Sequence, residues 1–279
     1  MATVNPNPLH NSIGRASQDV AELGAIYSSI GIGNRNGTLR VAYEQARKSY
    51  REAGGDIEKI RVVSRILRAG VESMARNAIR TAFELGRDSV KSQLGYYGVE
   101  DGSESSPRSE NEMIEAVLGR LDAQTRTAEA FAALGEPPDV WLGREGDQDD
   151  AGFISVGAIL NPMSDFITSS YSDAWEQGVD AASRLGFLAL KMAVAIVDGR
   201  TTKCCLAVHG QIRPFFQPFH LTQPPAWEPY KMTPPFHNYC RTGMAIYVAE
   251  FDDGITEDME AEAGAELDRR GAGSPILGA

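Results

Sequence analysis

Residues 57–90 read IEKIRVVSRILRAGVESMARNAIRTAFELGRDSV. Ile57, Ile60, Val63, Leu67, Val71, Met74, Ala78, Ala82 and Leu85 recur there at spacings of three and four. That period puts all of them on one face of an α-helix. Roughly 30 residues at about 1.5 Å each make a rod about 45 Å long. A second face carries Arg61, Arg65, Arg68, Arg76, Arg80 and Arg87, with Glu72 and Glu84 among them. Such a stripe is a solvated face, a docking face for an acidic partner, or a DNA-backbone contact. The two glutamates weaken the last reading.

Outward from this rod, the chain breaks at Gly54-Gly55 and again over Gly31–Gly37, which reads as a hinge without a phosphate-loop ending. Thr38 to about Ala53 is helical, and Ile13–Ile30 weakly so. Ser109 with Glu112 fits a capping box for a helix stopped at Gly135 and Pro137-Pro138. Residues 1–12, with Pro6 and Pro8, read as an extended arm. Gly143–Asp150 reads as an acidic linker and domain boundary. Residues 153–168 are ambiguous, and Asp173 with Glu176 opens a helix closed by Gly186. Phe187–Val197 is an apolar run, broken only by Lys191, whose periodicity fits helix or strand. Residues 214–235 hold seven of the 14 prolines and are irregular. Phe215, Phe216, Phe219, Trp227, Tyr230 and Phe236 fall in or beside that loop, as a small core. Met244–Phe251 reads as a strand. The acidic tail from Asp252 reads as mobile.

The chain has 279 residues, 42% of them apolar, with 28 glycines, enough to build a core. Its longest apolar run falls short of the roughly 20 residues a bilayer span needs, so no membrane partner is expected. Residues 1–10 lack a basic start and an apolar stretch, which argues against a signal peptide and for the cytoplasm. Net charge is −11, unfavourable to nucleic acid overall. The charge is zoned: Arg40–Lys91 holds 12 basic residues against 7 acidic, and Asp252–Asp268 holds 8 acidic and none basic.

Three cysteines cannot form a disulfide framework, and all lie between Cys204 and Cys240. Cys205, His209, His237 and Cys240 offer the thiolate and imidazole ligands zinc prefers, in a Cys2His2 set. The alternatives are buried packing or a Cys205–Cys240 disulfide. The four side chains are expected to converge, with Cys204 pointing away. No nucleophile–base–acid set has a recognisable spacing, so catalysis is not expected.

Asp198, Arg200, Thr201, Cys205, His209 and Gly210, followed by Pro234, Pro235, His237, Cys240 and Arg241, form an ordered pair of motifs. Together they resemble the signature of the phage Mu F-like head morphogenesis family. The resemblance covers roughly residues 165–250, and the family's usual Trp before the Asp is missing. It implies that 187–197 is a strand, pairing with 244–251. The expected fold is mostly α with a small α+β C-terminal domain: long amphipathic helices, then a short antiparallel sheet with a Pro-rich loop. The expected division is an arm over 1–12, a helical region over 13–148, the Mu F-like domain over 149–251 and a flexible tail over 252–279. The resemblance further implies a non-enzymatic minor head protein of a tailed bacteriophage. It would sit in the virion head after assembly in the host cytoplasm, with the portal protein and the major capsid protein or scaffold as partners. The alternatives are a capsid-carried metal-dependent nuclease or toxin-like effector, and a DNA-binding packaging accessory.

Overall fold

The computed structural model describes residues 7–99, 109–143, 155–223, 226 and 228–271. The chain is mostly helical, with a small α+β region near its C-terminal end, as its patterning predicts. In order come α1 (Pro8–Ile30), α2 (Thr38–Ala53), α3 (Ile57–Tyr96), α4 (Glu110–Ala133), α5 (Pro138–Leu142) and α6 (Gly157–Arg184). Then follow β1 (Leu190–Ala195), α7 (Lys203–Val208), β2 (Ile212–Pro214), β3 (Phe219–His220), β4 (Tyr230–Lys231), β5 (Thr242–Tyr247) and α8 (Ile255–Arg270). No helix among the described residues is long and apolar enough to cross a membrane.

The chain forms two compact units, and the boundary expected at 143–150 lies almost wholly outside the described residues. One unit is Ala25–Thr81 with Ser109–Phe166. The other joins Met1–Gly24, Ala82–Arg108 and Ile167–Ala279, so α1 as far as Gly24 and α8 belong to the same unit.

In the all-helical unit the apolar stripe of α3 faces inward. Ile60, Leu67, Val71 and Ala78 are buried, and Ile57, Val63 and Met74 are half-buried. Tyr43, Tyr50 and Trp141 fill the same interior, and the Tyr50 and Trp141 rings meet edge-on at 5.8 Å. Arg47 and Arg51 donate to the carbonyls of Leu142 (2.5 Å) and Gly143 (2.8 Å), satisfying the end of α5. The arginine stripe is engaged by α4. Arg61 meets Glu129 at 3.0 Å, Arg68 meets Asp122 at 3.2 Å, and Arg76 and Arg80 share Glu110 at 2.7 and 3.0 Å. The partner numbers fall as the α3 numbers rise, as antiparallel helices require. Arg65 donates instead to the carbonyl of Arg61. The Gly31–Gly37 stretch is no loose hinge, because a Cβ on Gly37 would lie 2.2 Å from the Gly31 backbone. Ser109 is the N-cap of α4, but its hydroxyl makes no capping bond.

The second unit is built on an antiparallel sheet in the order β2-β1-β5. Leu190 pairs with Tyr247 and Ala195 with Thr242, so the expected strand pairing is present, with shorter strands. The strands alternate between two cores. Met192, Val194, Ala245 and Tyr247 pack with Leu9 and Ala16 of α1 and Met259 of α8. On the other face, Met244 and Ile246 pack with Val90, Leu94, Trp175 and Val179, while Ala193 and Ala195 pack with the cysteines. The outer edge of β5 is met by a side chain: Gln93 of α3 donates to the carbonyl of Met244 (3.0 Å) and accepts from the N–H of Ile246 (2.7 Å). Deeper in this unit Asp19 is fully buried, accepting from the hydroxyls of Ser89 and of Tyr171 (2.9 Å). Arg87 lies in this unit too, 3.6 Å from Asp88.

Three expectations need correcting here. The arm is helical from Pro8, and Leu9 is buried, because Pro is well suited to a first helical turn. The helix expected from Asp173 begins at Gly157. The tail is not mobile over Ile255–Arg270: it is α8, with Met259 and Ala263 buried. Two apolar side chains on one face are enough to dock a short helix that composition alone reads as solvated.

Candidate metal centre

Beyond β1 the chain turns at Asp198. Its carboxylate accepts the backbone N–H of Arg200 (2.8 Å) and Thr201 (3.0 Å) and the Thr201 hydroxyl (3.1 Å). Thr201 also donates from its hydroxyl to the carbonyl of Ile196. From the second half of the signature, Arg241 Nη1 reaches both Asp198 oxygens, at 2.8 and 2.9 Å. Partial burial pushes the Asp198 carboxyl up. The N–H of Arg200, the Arg241 guanidinium and Thr201 outweigh it and hold the group below the usual carboxylate range. The Arg200 side chain itself is exposed.

The Asp198 turn delivers α7, which carries Cys204 and Cys205 into the interior. The opposite wall is the segment after the cis Pro234–Pro235 bond, where Tyr239 adopts φ 60° between His237 and Cys240. Cys205 Sγ lies 2.9 Å from His237 Nε2 and 3.7 Å from Cys240 Sγ. The ligand atoms of Cys204, Cys205 and His237 all lie within 4.8 Å of one another, a group that can hold a metal ion. Thr202 Oγ1 bridges the set, 2.7 Å from His237 Nε2 and 3.3 Å from Cys204 Sγ. His237 Nδ1 donates to the carbonyl of Asn238 at 2.6 Å, which turns Nε2 toward the sulfurs.

The electrostatics single out Cys205. Burial pushes its thiol up, but contacts from Cys204, Cys240 and His237 outweigh that and hold it well below the ordinary thiol range. Cys204 is raised, through its bond to Cys205 and by burial. Cys240 is raised by burial and by Cys205. Three sulfurs and an imidazole are a soft, electron-rich donor set.

Of the expected ligands, Cys205, His237 and Cys240 come together. His209 does not join them: its Nδ1 accepts the backbone N–H of Ala195 at 2.9 Å. Burial lowers its pKa to about 4 and keeps the ring neutral. The imidazole thus continues the edge of the sheet. Cys204, expected to point away, takes its place among the donors. Neighbours in a strand alternate sides, but α7 is a helix, where they stand about 100° apart. The alternative of a Cys205–Cys240 disulfide is not what the structure shows, since the sulfurs stand 3.7 Å apart and all three cysteines are free thiols.

The excursion between the two halves is pinned by lysines that the motif reading passed over. Lys191 is fully buried and donates from Nζ to the carbonyls of Met232 (2.7 Å) and Phe215 (3.2 Å). Lys231 donates to the carbonyl of Pro235 at 2.5 Å. The signal was Lys191 itself, a charge inside an apolar run. The aromatic residues of the loop do not form one core. Phe219 meets Phe236, Phe215 stacks on Trp175, Tyr230 stacks on His220, and Phe216 is exposed. Trp227 lies outside the described residues.

No family model, curated protein or solved structure matches this chain.

Proposed function

We propose that this chain is a minor head protein of a tailed bacteriophage, seated with the portal and the capsid interior, and that a structural zinc organises its signature domain. The observation that carries the reading is that the two halves of the signature meet twice, through Asp198 and Arg241 and through Cys205, His237 and Cys240. An ordered pair of motifs that works as one site needs contacts between its halves, and here it has them. The zinc ligands on this reading are Cys204, Cys205 and His237 through Nε2, with Cys240, which lies outside that 4.8 Å group but beside Cys205, as the candidate fourth. Two sulfurs on a tetrahedral zinc with bonds of about 2.3 Å stand about 3.8 Å apart, close to the 3.7 Å between Cys205 and Cys240. Cys205 is fully buried, which favours a structural role over attack on a substrate. DNA packaging through the α3 arginines is the weaker alternative, since four of them already face α4 carboxylates.

The test of the head assignment is co-purification of the chain with the portal from assembled heads, measured by mass spectrometry. Heads lacking the chain would overturn it. The zinc assignment predicts about one zinc per chain in the purified protein, lost on chelation with loss of local order. His237→Ala and Cys240→Ser would each lower that content. Protein purified under zinc-replete conditions that carries none would overturn the metal reading and leave the head assignment standing.

A further inference from the structure

We infer that α8 is a latch on the thiol–imidazole site, and that Arg270 is the positioning residue that fixes the loop carrying Cys204 and Cys205. The inference rests on the metal reading for what the site holds. It rests on hydrogen-bond geometry alone for what holds the site.

Arg270 ends α8 with its side chain only 13% exposed. Its Nη1 donates to the carbonyl of Thr201 at 2.5 Å, and its Nη2 donates to the carbonyl of Asp198. Its Nε donates to Glu266 Oε1 at 2.8 Å, one turn back on the same helix. A planar fork held from behind by a carboxylate is thereby aimed at two backbone oxygens of one loop. Lys203 closes the contact in the other direction, reaching the carbonyl of Gly271 at 3.2 Å.

On the far side of α7, Gly210 sits against α8. A Cβ there would lie 3.1 Å from Glu260 Cγ and 3.4 Å from the carbonyl of Thr256. The helix therefore grips the chain both before and after the six residues of α7. Two of the three sulfurs of the site ride on that segment. A metal site needs its ligands held to within about 0.5 Å, and α7 is too short to hold itself. Arg269 is the built-in control. It has the same charge and the same Glu266 partner, but its side chain is 65% exposed and no bond from it reaches the loop.

The experiment uses the full chain as wild type, Arg270→Ala, Arg270→Lys and Arg269→Ala. Iodoacetamide alkylation of the metal-free proteins is followed at each cysteine by mass spectrometry. Release of Cd²⁺ to a chromogenic chelator is followed in the loaded ones. Arg270→Ala is expected to speed alkylation of Cys204 and Cys205 by about tenfold, equivalent to about 1.4 kcal/mol. Cys240 lies off α7 and is expected to gain less, which separates loss of the latch from general loosening. Arg270→Lys keeps the charge but not the fork, and falls between. Cd²⁺ release follows the same order. If Arg270→Ala and Arg270→Lys both behave like Arg269→Ala, the latch is overturned. Should Arg270→Ala fail to fold, Arg270→Lys against Arg269→Ala decides the matter. A wild type that takes up no Cd²⁺ overturns the metal reading instead, and the alkylation rates still decide the latch.

Discussion

On α3, Arg61, Arg68, Arg76 and Arg80 keep 33–57% of their side chains exposed and reach carboxylates of α4. At the Asp198 turn, Arg241 is 30% exposed and reaches the Asp198 carboxylate, and Arg270 is 13% exposed and reaches two backbone carbonyls. The same residue type serves two purposes. The α3 pairs are distributed, and two of them share Glu110, so one can be lost while the others keep the helices in register. The arginines at the turn each hold a point of the chain that nothing else holds in the same way. A sequence stripe shows where arginines are, but exposure and partner decide whether they form a surface or a joint.

The largest break of this comparison lies beneath the α3 stripe, not in it. Leu67 is 4% exposed, and Leu67→Asp would bury a charge while removing a core side chain. The expected loss is about 4 kcal/mol or more in denaturant unfolding, against less than about 0.5 kcal/mol for Arg65→Ala. Equal effects would mean that the stripe is inverted.

Next comes truncation after Phe251, which removes α8. Sequence composition alone predicts little change. With Met259, Ala263 and the Arg270 fork lost, the expected cost is about 3 kcal/mol, or a fall in Tm of about 6–12 °C for a chain this size. A shift under about 2 °C by calorimetry would show that the joint contributes no more than the stripe.

A third arginine setting sharpens the contrast through pH. Arg15 Nε stands 2.8 Å from Asp19 Oδ1 but out of line for a hydrogen bond. Burial raises the Asp19 carboxyl to about 6, despite Ser89, Arg15 and Tyr171 pulling it down. The native state therefore keeps a proton that the unfolded chain sheds near pH 4. Stability from this group is full below that pH and falls as pH rises toward 6, by about 3 kcal/mol in all. Asp19→Asn should flatten stability between pH 4 and 6, as measured by urea midpoints across that range. An unchanged slope would place the titration elsewhere.

The smallest effect is expected on the stripe itself. Arg68→Ala should cost under about 1 kcal/mol at low salt, and less at 0.5 M salt, because exposed pairs are screened. A larger, salt-independent cost would move Arg68 into the class of Arg270.

The α3 helix was legible because nine apolar positions kept one period from Ile57 to Leu85, and the structure carries the helix on to Tyr96. The strand pairing was legible only once Asp198–Gly210 and Pro234–Arg241 were read together, since Phe187–Val197 has no period of its own. The docked α8 was not legible: eight acidic residues outweigh Met259 and Ala263 in any average, and the Arg269-Arg270 pair falls just past the acidic run. At the site, spacing offered His209 and rejected Cys204. Both errors have one origin, that no helix was read between Asp198 and Gly210. Once Lys203–Val208 is helical, both cysteines face inward, and the chain leaves the helix with His209 lying along β1.

The Gln93 amide on β5 has a bearing on crowding. A bare strand edge invites the same edge of another copy to join it, and such contacts seed aggregates when many copies share a small volume. Here the side-chain amide occupies Met244 and Ile246 as a neighbouring strand would. The opposite edge, β2, is three residues long and ends in Pro214, which has no N–H to offer. The three-stranded sheet is terminated on both flanks by chemistry rather than by further strands, so neither edge offers a second copy a full ladder to join.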